Sequence, residues 1–195
     1  MTKSRLEAFS DGVLAIVITI MVLELRTPAD QGWRGLLEVL PELGLYTLSF
    51  AFVGIYWNNH HHLLHAVIRV NSHILLRNLH LLFWLSLLPF VTGWVGHSHF
   101  APVPTALYGF IFIAAAFAWR LLQNEILRQH GPASRLAATF GRDSKGKISL
   151  LGYVASVPLA FVNPWISMAI FVLLALWWLI PDRRIERALD EHQMA

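Results

Sequence analysis

The chain has 195 residues, 56% apolar and 14% charged, where an ordinary soluble domain carries about 25% charged residues. Fifteen Lys and Arg against twelve Asp and Glu leave a net charge of +3 with ten neutral His, too sparse for a nucleic-acid face, which needs clustered basic surface. The absence of Cys excludes a disulfide framework, a Cys-ligated zinc site and thiol catalysis. A mean hydropathy of +0.54 makes this an integral membrane protein.

Six apolar segments follow in order, at residues 4–25, 42–66, 72–94, 105–127, 148–161 and 164–180. The first is not a cleavable signal. It lacks a small-residue cleavage site, and Arg5, Glu7 and Asp11 are built into its start. Ser4 and Glu7 form a capping-box pattern that predicts a helix start near Ser4. From there to Leu25 the helix spans roughly 30 Å, enough for a bilayer core. Thr27-Pro28, Val70-Asn71, Pro102 and Pro104, Gly131-Pro132, Asn163-Pro164 and Pro181 separate the segments. The last two are short and read either as two spanning helices or as one re-entrant hairpin. No internal repeat or low-complexity stretch is visible.

Basic residues set the orientation. Lys3 and Arg5, then Arg69 and Arg77, then six around the fourth connection from Arg120 to Lys147, then Arg183, Arg184 and Arg187 give thirteen on one side. Only Arg26 and Arg34 occupy the other. The expected fold is therefore all-α. A single transmembrane domain covers residues 1–195, with six helices and both termini cytoplasmic. Trp33, Trp94 and Trp165 mark the outer interface, and Trp177 and Trp178 the inner one. The connection 128–147 and the tail 181–195 are expected to be solvated, with their basic side chains near anionic headgroups.

This topology places Asp11 in the cytoplasmic third of helix 1. Asn58, Asn59, His60, His61, His62 and His65 fall at a similar depth in helix 2, and Arg77, Asn78 and His80 in helix 3. A charge in hydrocarbon costs several kcal/mol unless paired or hydrated, so Asp11 needs partners from this polar belt. The belt reads as an interhelical lock or as a proton relay, since His titrates near neutrality. His61 and His65, at i and i+4, share a helical face. No Asp or Glu lies among them and the other His are scattered, so neither a metal site nor a metal enzyme is expected. No Gly-x-Ser-x-Gly motif or acidic dyad points to catalysis. Thr92-Gly93-Trp94-Val95-Gly96 has the wrong residue order for a carbonyl-lined filter and reads as a helix stop with an interfacial Trp.

At 100° per residue Gly12, Ile16, Thr19, Ile20 and Leu23 fall within one stripe about 100° wide, while Asp11 lies roughly 140° from Ile16. Helix 1 can thus turn one face to a symmetry axis and Asp11 into the bundle. Periodicity equally allows the stripe to face lipid or core.

Arg5-Leu6-Glu7-Ala8-Phe9-Ser10-Asp11 resembles the Arg-x-x-x-Phe-Ser-Asp signature on the first helix of the endolysosomal potassium channel family, the transmembrane protein 175 type. Gly12-Val13, the apolar run after it and Thr27-Pro28 are similar to that family, as is Tyr56-Trp57-Asn58-Asn59-His60-His61. Length and layout resemble its bacterial, single-repeat branch over essentially the whole chain. The resemblance implies a homotetramer in a bacterial plasma membrane, with four copies of helix 1 around a potassium-permeable pore. It implies a hydrophobic constriction at Ile16, a hydrated ion layer at Thr19, a further apolar ring at Leu23, and Ile20 sharing the wall. Arg5, Phe9, Ser10 and Asp11 would be a packing and hydrogen-bond lock. Potassium is then the permeant ion, with no cofactor and no enzymatic activity. A proton-conducting or proton-coupled transporter using Asp11 and the His cluster is the rival reading. A purely structural membrane protein is the plainest one.

Overall fold

In a computed structural model of the chain, residues 2–131 and 144–180 are described. They form helices α1 (Lys3–Leu23), α2 (Trp33–His65), α3 (Ser72–Ser86), α4 (Leu88–His97), α5 (Pro102–Arg128), α6 (Ser144–Val162) and α7 (Pro164–Leu179). No strand occurs among the described residues. The tail expected to be solvated, and most of the basic connection before α6, lie outside them.

Several boundaries differ from expectation, each for a local reason. α1 is capped by Thr2, whose Oγ1 accepts from the Arg5 amide at 3.4 Å. Ser4 is exposed inside the helix, and the buried Oε1 of Glu7 finds no hydrogen-bond donor, so the anticipated capping box does not form. α2 starts nine residues before the expected position because Pro41 is accommodated inside the helix. The third apolar segment is divided at Leu87. Pro89 has no amide proton and its ring clashes with the carbonyl four residues earlier, so a new helix starts there. Pro102, taken as a breaker, instead sits at the first position of α5, where its missing N–H costs nothing.

Side-chain contacts tie the helix ends into two groups. At one end Lys3 Nζ donates to the His65 carbonyl (2.7 Å), His130 Nε2 to the Ala66 carbonyl (2.6 Å) and Lys145 Nζ to the Ile180 carbonyl (2.7 Å). Gln129 adds a clamp, accepting from the amides of Ile68 and Arg69 and donating to the Arg69 carbonyl. At the other end His97 Nε2 donates to the Glu24 carbonyl (2.9 Å), and Phe100 stacks on Trp165 at 4.6 Å. The chain therefore crosses the bundle an even number of times. Five helices are long and apolar enough to cross a membrane, counting α3 and α4 together as one span. α7 has only 16 residues, yet its two termini are pinned at opposite ends of the bundle. The α6–α7 pair therefore traverses rather than re-enters.

The interior is built around aromatic rings on α2, α5, α6 and α7. Phe52, Tyr108, Phe112, Tyr153 and Phe171 are all buried, with Phe52 and Phe112 centroids 4.5 Å apart. Apolar solvent gives helices little hydrophobic reason to associate, so close packing and interhelical hydrogen bonds carry more of the load. Ser49 Oγ meets both Thr92 Oγ1 and Tyr108 Oη at 2.9 Å, joining α2, α4 and α5. Small residues bring backbones together. A Cβ on Gly109 would lie 2.5 Å from Ser156 Oγ and 3.3 Å from Phe171 Cζ. Gly109→Val should therefore wedge α5 away from α6 and α7 at a cost of about 1–3 kcal/mol. Thermal unfolding in detergent should show a clear loss, whereas Gly44→Ala, with open space around its Cβ, should leave the midpoint nearly unchanged.

Candidate functional site: the two faces of α1

Leu6, Ser10, Leu14, Val17 and Met21 recur at helical spacing and are buried against the bundle. The opposite side of α1 is open. Phe9 is 48% exposed, Ile16 58%, Ile20 42% and Leu23 79%. Gly12 and Thr19 share that face and are exposed as well. The structure thus gathers Ile16, Thr19, Ile20 and Leu23 on one uncovered stripe. Thr19 Oγ1 donates its proton back to the Ile16 carbonyl at 2.9 Å, so the oxygen lone pairs remain directed outward.

The rotation of α1 is set by a directional chain of hydrogen bonds. Ser10 Oγ donates to the Leu6 carbonyl (2.9 Å) and accepts from Asn78 Nδ2 (2.9 Å). Asn78 Oδ1 in turn lies 2.7 Å from His60 Nε2. A carbonyl oxygen can only accept, so His60 carries its proton on Nε2. Ser10, Asn78 and His60 are all buried. One polar atom from each of α1, α2 and α3 is satisfied where no water competes.

Asp11 sits beside this chain and is not part of it. Its Oδ1 accepts from Trp57 Nε1 at 2.9 Å. Trp57 stacks on His61 with centroids 6.2 Å apart, and His61 Nε2 lies 3.1 Å from His65 Nε2. Arg77, anticipated at the level of Asp11, turns to α5. It pairs with Glu125 at 2.8 Å and donates to the Leu121 carbonyl at 2.9 Å. His80 accepts from Trp84 Nε1 at 2.9 Å, and Asn58 is exposed. The expected belt is therefore several separate pairings at related depths. Of its members, only Asn78 and His60 belong to the lock on α1.

The N-terminal motif divides in the same way. Ser10 is buried and Asp11 half-buried, while Arg5 and Phe9 lie on the exposed side within the protomer. Trp57 and Glu125 were not anticipated as partners. Trp57 lies within the quoted helix-2 stretch, four residues before His61 on the same face. Glu125 stands in a stretch where only basic residues attracted notice. Thr92-Gly93-Trp94-Val95-Gly96 is helical, part of α4, which ends one residue later at His97. Trp178, expected as an interfacial anchor, is half-buried and donates to Ser149 Oγ at 2.8 Å.

Asn78→Leu should leave the buried His60 and Ser10 each short of one partner, at about 1–3 kcal/mol per orphaned group. Ser10→Ala should cost less, because the Asn78 amide keeps its bond to His60. Thermal denaturation of the two variants and their double mutant checks this. The double mutant should fall short of the sum of the singles, since both disrupt one chain.

Residues 5–89 match the family model described as the endosomal/lysosomal potassium channel TMEM175. A potassium channel of Chryseobacterium sp. (strain P1-3) is 52% identical, over 98% of this chain and all of the relative. A potassium channel of Streptomyces collinus is 34% identical, over 90% of this chain and 91% of its own. The crystal structure of a lysosomal potassium-selective channel TMEM175 homolog from Chamaesiphon minutus superposes with a TM-score of 0.75 at 27% identity, covering 91% of this chain and 96% of that one. With its motif, its helix order and relatives matched from end to end, this chain belongs to the TMEM175 potassium channel family.

Proposed function

We propose that the chain is a single six-helix transmembrane domain that assembles as a homotetramer and conducts potassium through a pore lined by α1. The carrying observation is the uncovered stripe of Ile16, Thr19, Ile20 and Leu23 on a helix whose other face is locked into the bundle. The full-length resemblance to channels named for potassium supports the ion. A groove of about 340 Å³ beside α1, lined by Ile16, Ile20, Pro89 and Phe90 among others, supports the seating of a neighbouring copy. Such an assembly also supplies surroundings for Arg5 and Phe9, which lack cover within one protomer. The uneven distribution of basic residues supports cytoplasmic termini in a bacterial plasma membrane.

Rings of Ile16 and Leu23 act as hydrophobic constrictions that close by dewetting and pass ions when slightly dilated. Between them the Thr19 oxygens, their protons held by the helix, present lone pairs to a partly dehydrated cation. Potassium sheds its water shell more cheaply than sodium, so selectivity arises from dehydration without backbone carbonyls. No cofactor enters. The rival proton relay gains little from the geometry. Asp11 is held by an indole N–H, and the His60 chain terminates on a backbone carbonyl.

Flux into liposomes under opposed potassium and sodium gradients tests the wall. Ile16→Asn should hydrate the constriction and raise flux several-fold with weakened ion preference. Thr19→Ala should lower the preference for potassium while leaving the protein folded. If both variants conduct and discriminate like the unaltered protein, α1 does not line the pore. The chain lacks Cys, so Leu23→Cys introduces one thiol per protomer. Oxidation of that variant in membranes should give a covalent dimer, and a product that stays entirely monomeric counts against a central α1.

A further inference from the structure

On the far side of α2 from the Asp11 contact lies a cavity of about 210 Å³ enclosed by α2, α5, α6 and α7. α1 contributes nothing to its wall. The interior is apolar and aromatic, formed by Phe52, Ile55, Trp119, Leu150, Tyr153 and Trp178, with Ala116 at its side. Arg120 and Lys147 stand in the same lining, at the end of the bundle where α5 finishes and α6 begins. Arg120 Nη1 donates to the neutral Gln123 Oε1 at 3.1 Å. Among the described residues neither cation has a carboxylate within ion-pair distance, whereas nearby Arg77 and Arg128 share Glu125. Lys145 stands 5.7 Å over the Trp178 ring, adding a third cation beside the same wall.

We propose that this cavity is a binding site for an anionic membrane lipid of the leaflet at the basic end of the bundle. The phosphodiester is held between Arg120 and Lys147, and the start of one acyl chain lies along Trp119, Leu150 and Trp178. Charge complementarity selects the headgroup. Two cations with no carboxylate partner among the described residues meet a phosphate, and the positive end of the α6 helix dipole lies at the same mouth. The apolar interior selects a lipid over a free anion, because inorganic phosphate would leave the aromatic surface unfilled. Arginine suits this task, since its planar fork can hold two phosphate oxygens at once. The site requires only the membrane placement of the chain and is independent of ion conduction.

The purified full-length protein is reconstituted into phosphatidylcholine vesicles in which a fixed fraction of lipid carries brominated acyl chains, and tryptophan fluorescence is read. Trp119 and Trp178 in the wall make quenching sensitive to occupancy. Brominated phosphatidylglycerol should be enriched about thirtyfold over brominated phosphatidylcholine, the scale of two basic side chains facing an anionic lipid at a membrane surface. R120Q/K147Q should bring the two lipids to equal quenching. Ala116→Phe, which fills the cavity and leaves both charges, should do the same. Millimolar inorganic phosphate should leave the excess intact. Equal quenching by both lipids in the unaltered protein overturns the proposal. So does an excess that survives either folded variant, and its abolition by phosphate would assign the site to a free anion. Since the first comparison needs no variant, poor folding of a mutant does not protect the idea. Ordinary potassium flux alongside equal quenching would reject the lipid site alone.

Discussion

The Ser10–Asn78–His60 chain does for α1 what the hydrophobic effect does for a surface helix in water. α1 carries apolar residues around most of its circumference, and in lipid both sides of such a helix are equally well solvated. Nothing in hydrophobicity then decides which residues face inward. Ser10 breaks the degeneracy. Turned away from Asn78 it would leave the buried Asn amide N–H without its acceptor, so one rotation is favoured over the rest. At the opposite end the Glu24 carbonyl accepts from His97, fixing the second end of the same helix. Held at both ends, α1 presents Ile16 and Leu23 outward because it has no low-energy way to present anything else.

The lock also explains the arrangement of the other polar groups. Several acceptors inside the bundle take a donor from a neighbouring helix, and no donor serves the whole depth of the membrane. Asp11 takes an indole N–H, Glu125 takes Arg77, and Ser49 takes a hydroxyl from α4 or α5. Local pairing of this kind satisfies the cost of burying polar atoms without building a continuous polar path across the bundle. It fastens α1 to α2 and α3 at one end, and α2 to α4 and α5 nearer the other.

Much of the architecture was legible in the sequence because membrane spans obey coarse rules. Apolar length and the one-sided placement of basic residues are enough to order six segments and bring Lys3 and Ile180 to one side of the bundle. Side-chain detail obeys finer rules that a linear reading misses. Pro41 and Pro102 look alike as breakers, yet one is absorbed within a long helix and the other starts one. Pro89 was hidden inside an apolar run and divides it. The stripe on α1 followed from helical periodicity alone. The same arithmetic would have placed Arg5 and Phe9 on that stripe and away from Ser10, but a contiguous motif invites treatment as a single unit. Depth suggested Arg77 as a partner for Asp11, whereas helix rotation turns it to Glu125. Depth is readable from position along a segment. Rotation requires knowing which neighbour packs on which face.

The separation of charge from the α1 stripe bears directly on the proposed pore wall. Asp11 is drawn sideways by Trp57, and Arg77 is neutralised on α5, so the exposed face from Phe9 to Leu23 carries no formal charge. A carboxylate projecting there would bind a dehydrated cation tightly and slow its departure, while a guanidinium would repel it. Conduction requires sites weak enough to leave as well as favourable enough to enter. In the proposed assembly, with hydrocarbon rings above and below a layer of hydroxyl oxygens, the dominant barrier is the removal of water from the ion. That barrier is lower for potassium than for sodium whatever the detailed diameter of the rings. Asp11 on Trp57 and Arg77 on Glu125 thus leave the stretch from Phe9 to Leu23 suited to the selectivity by hydration proposed above.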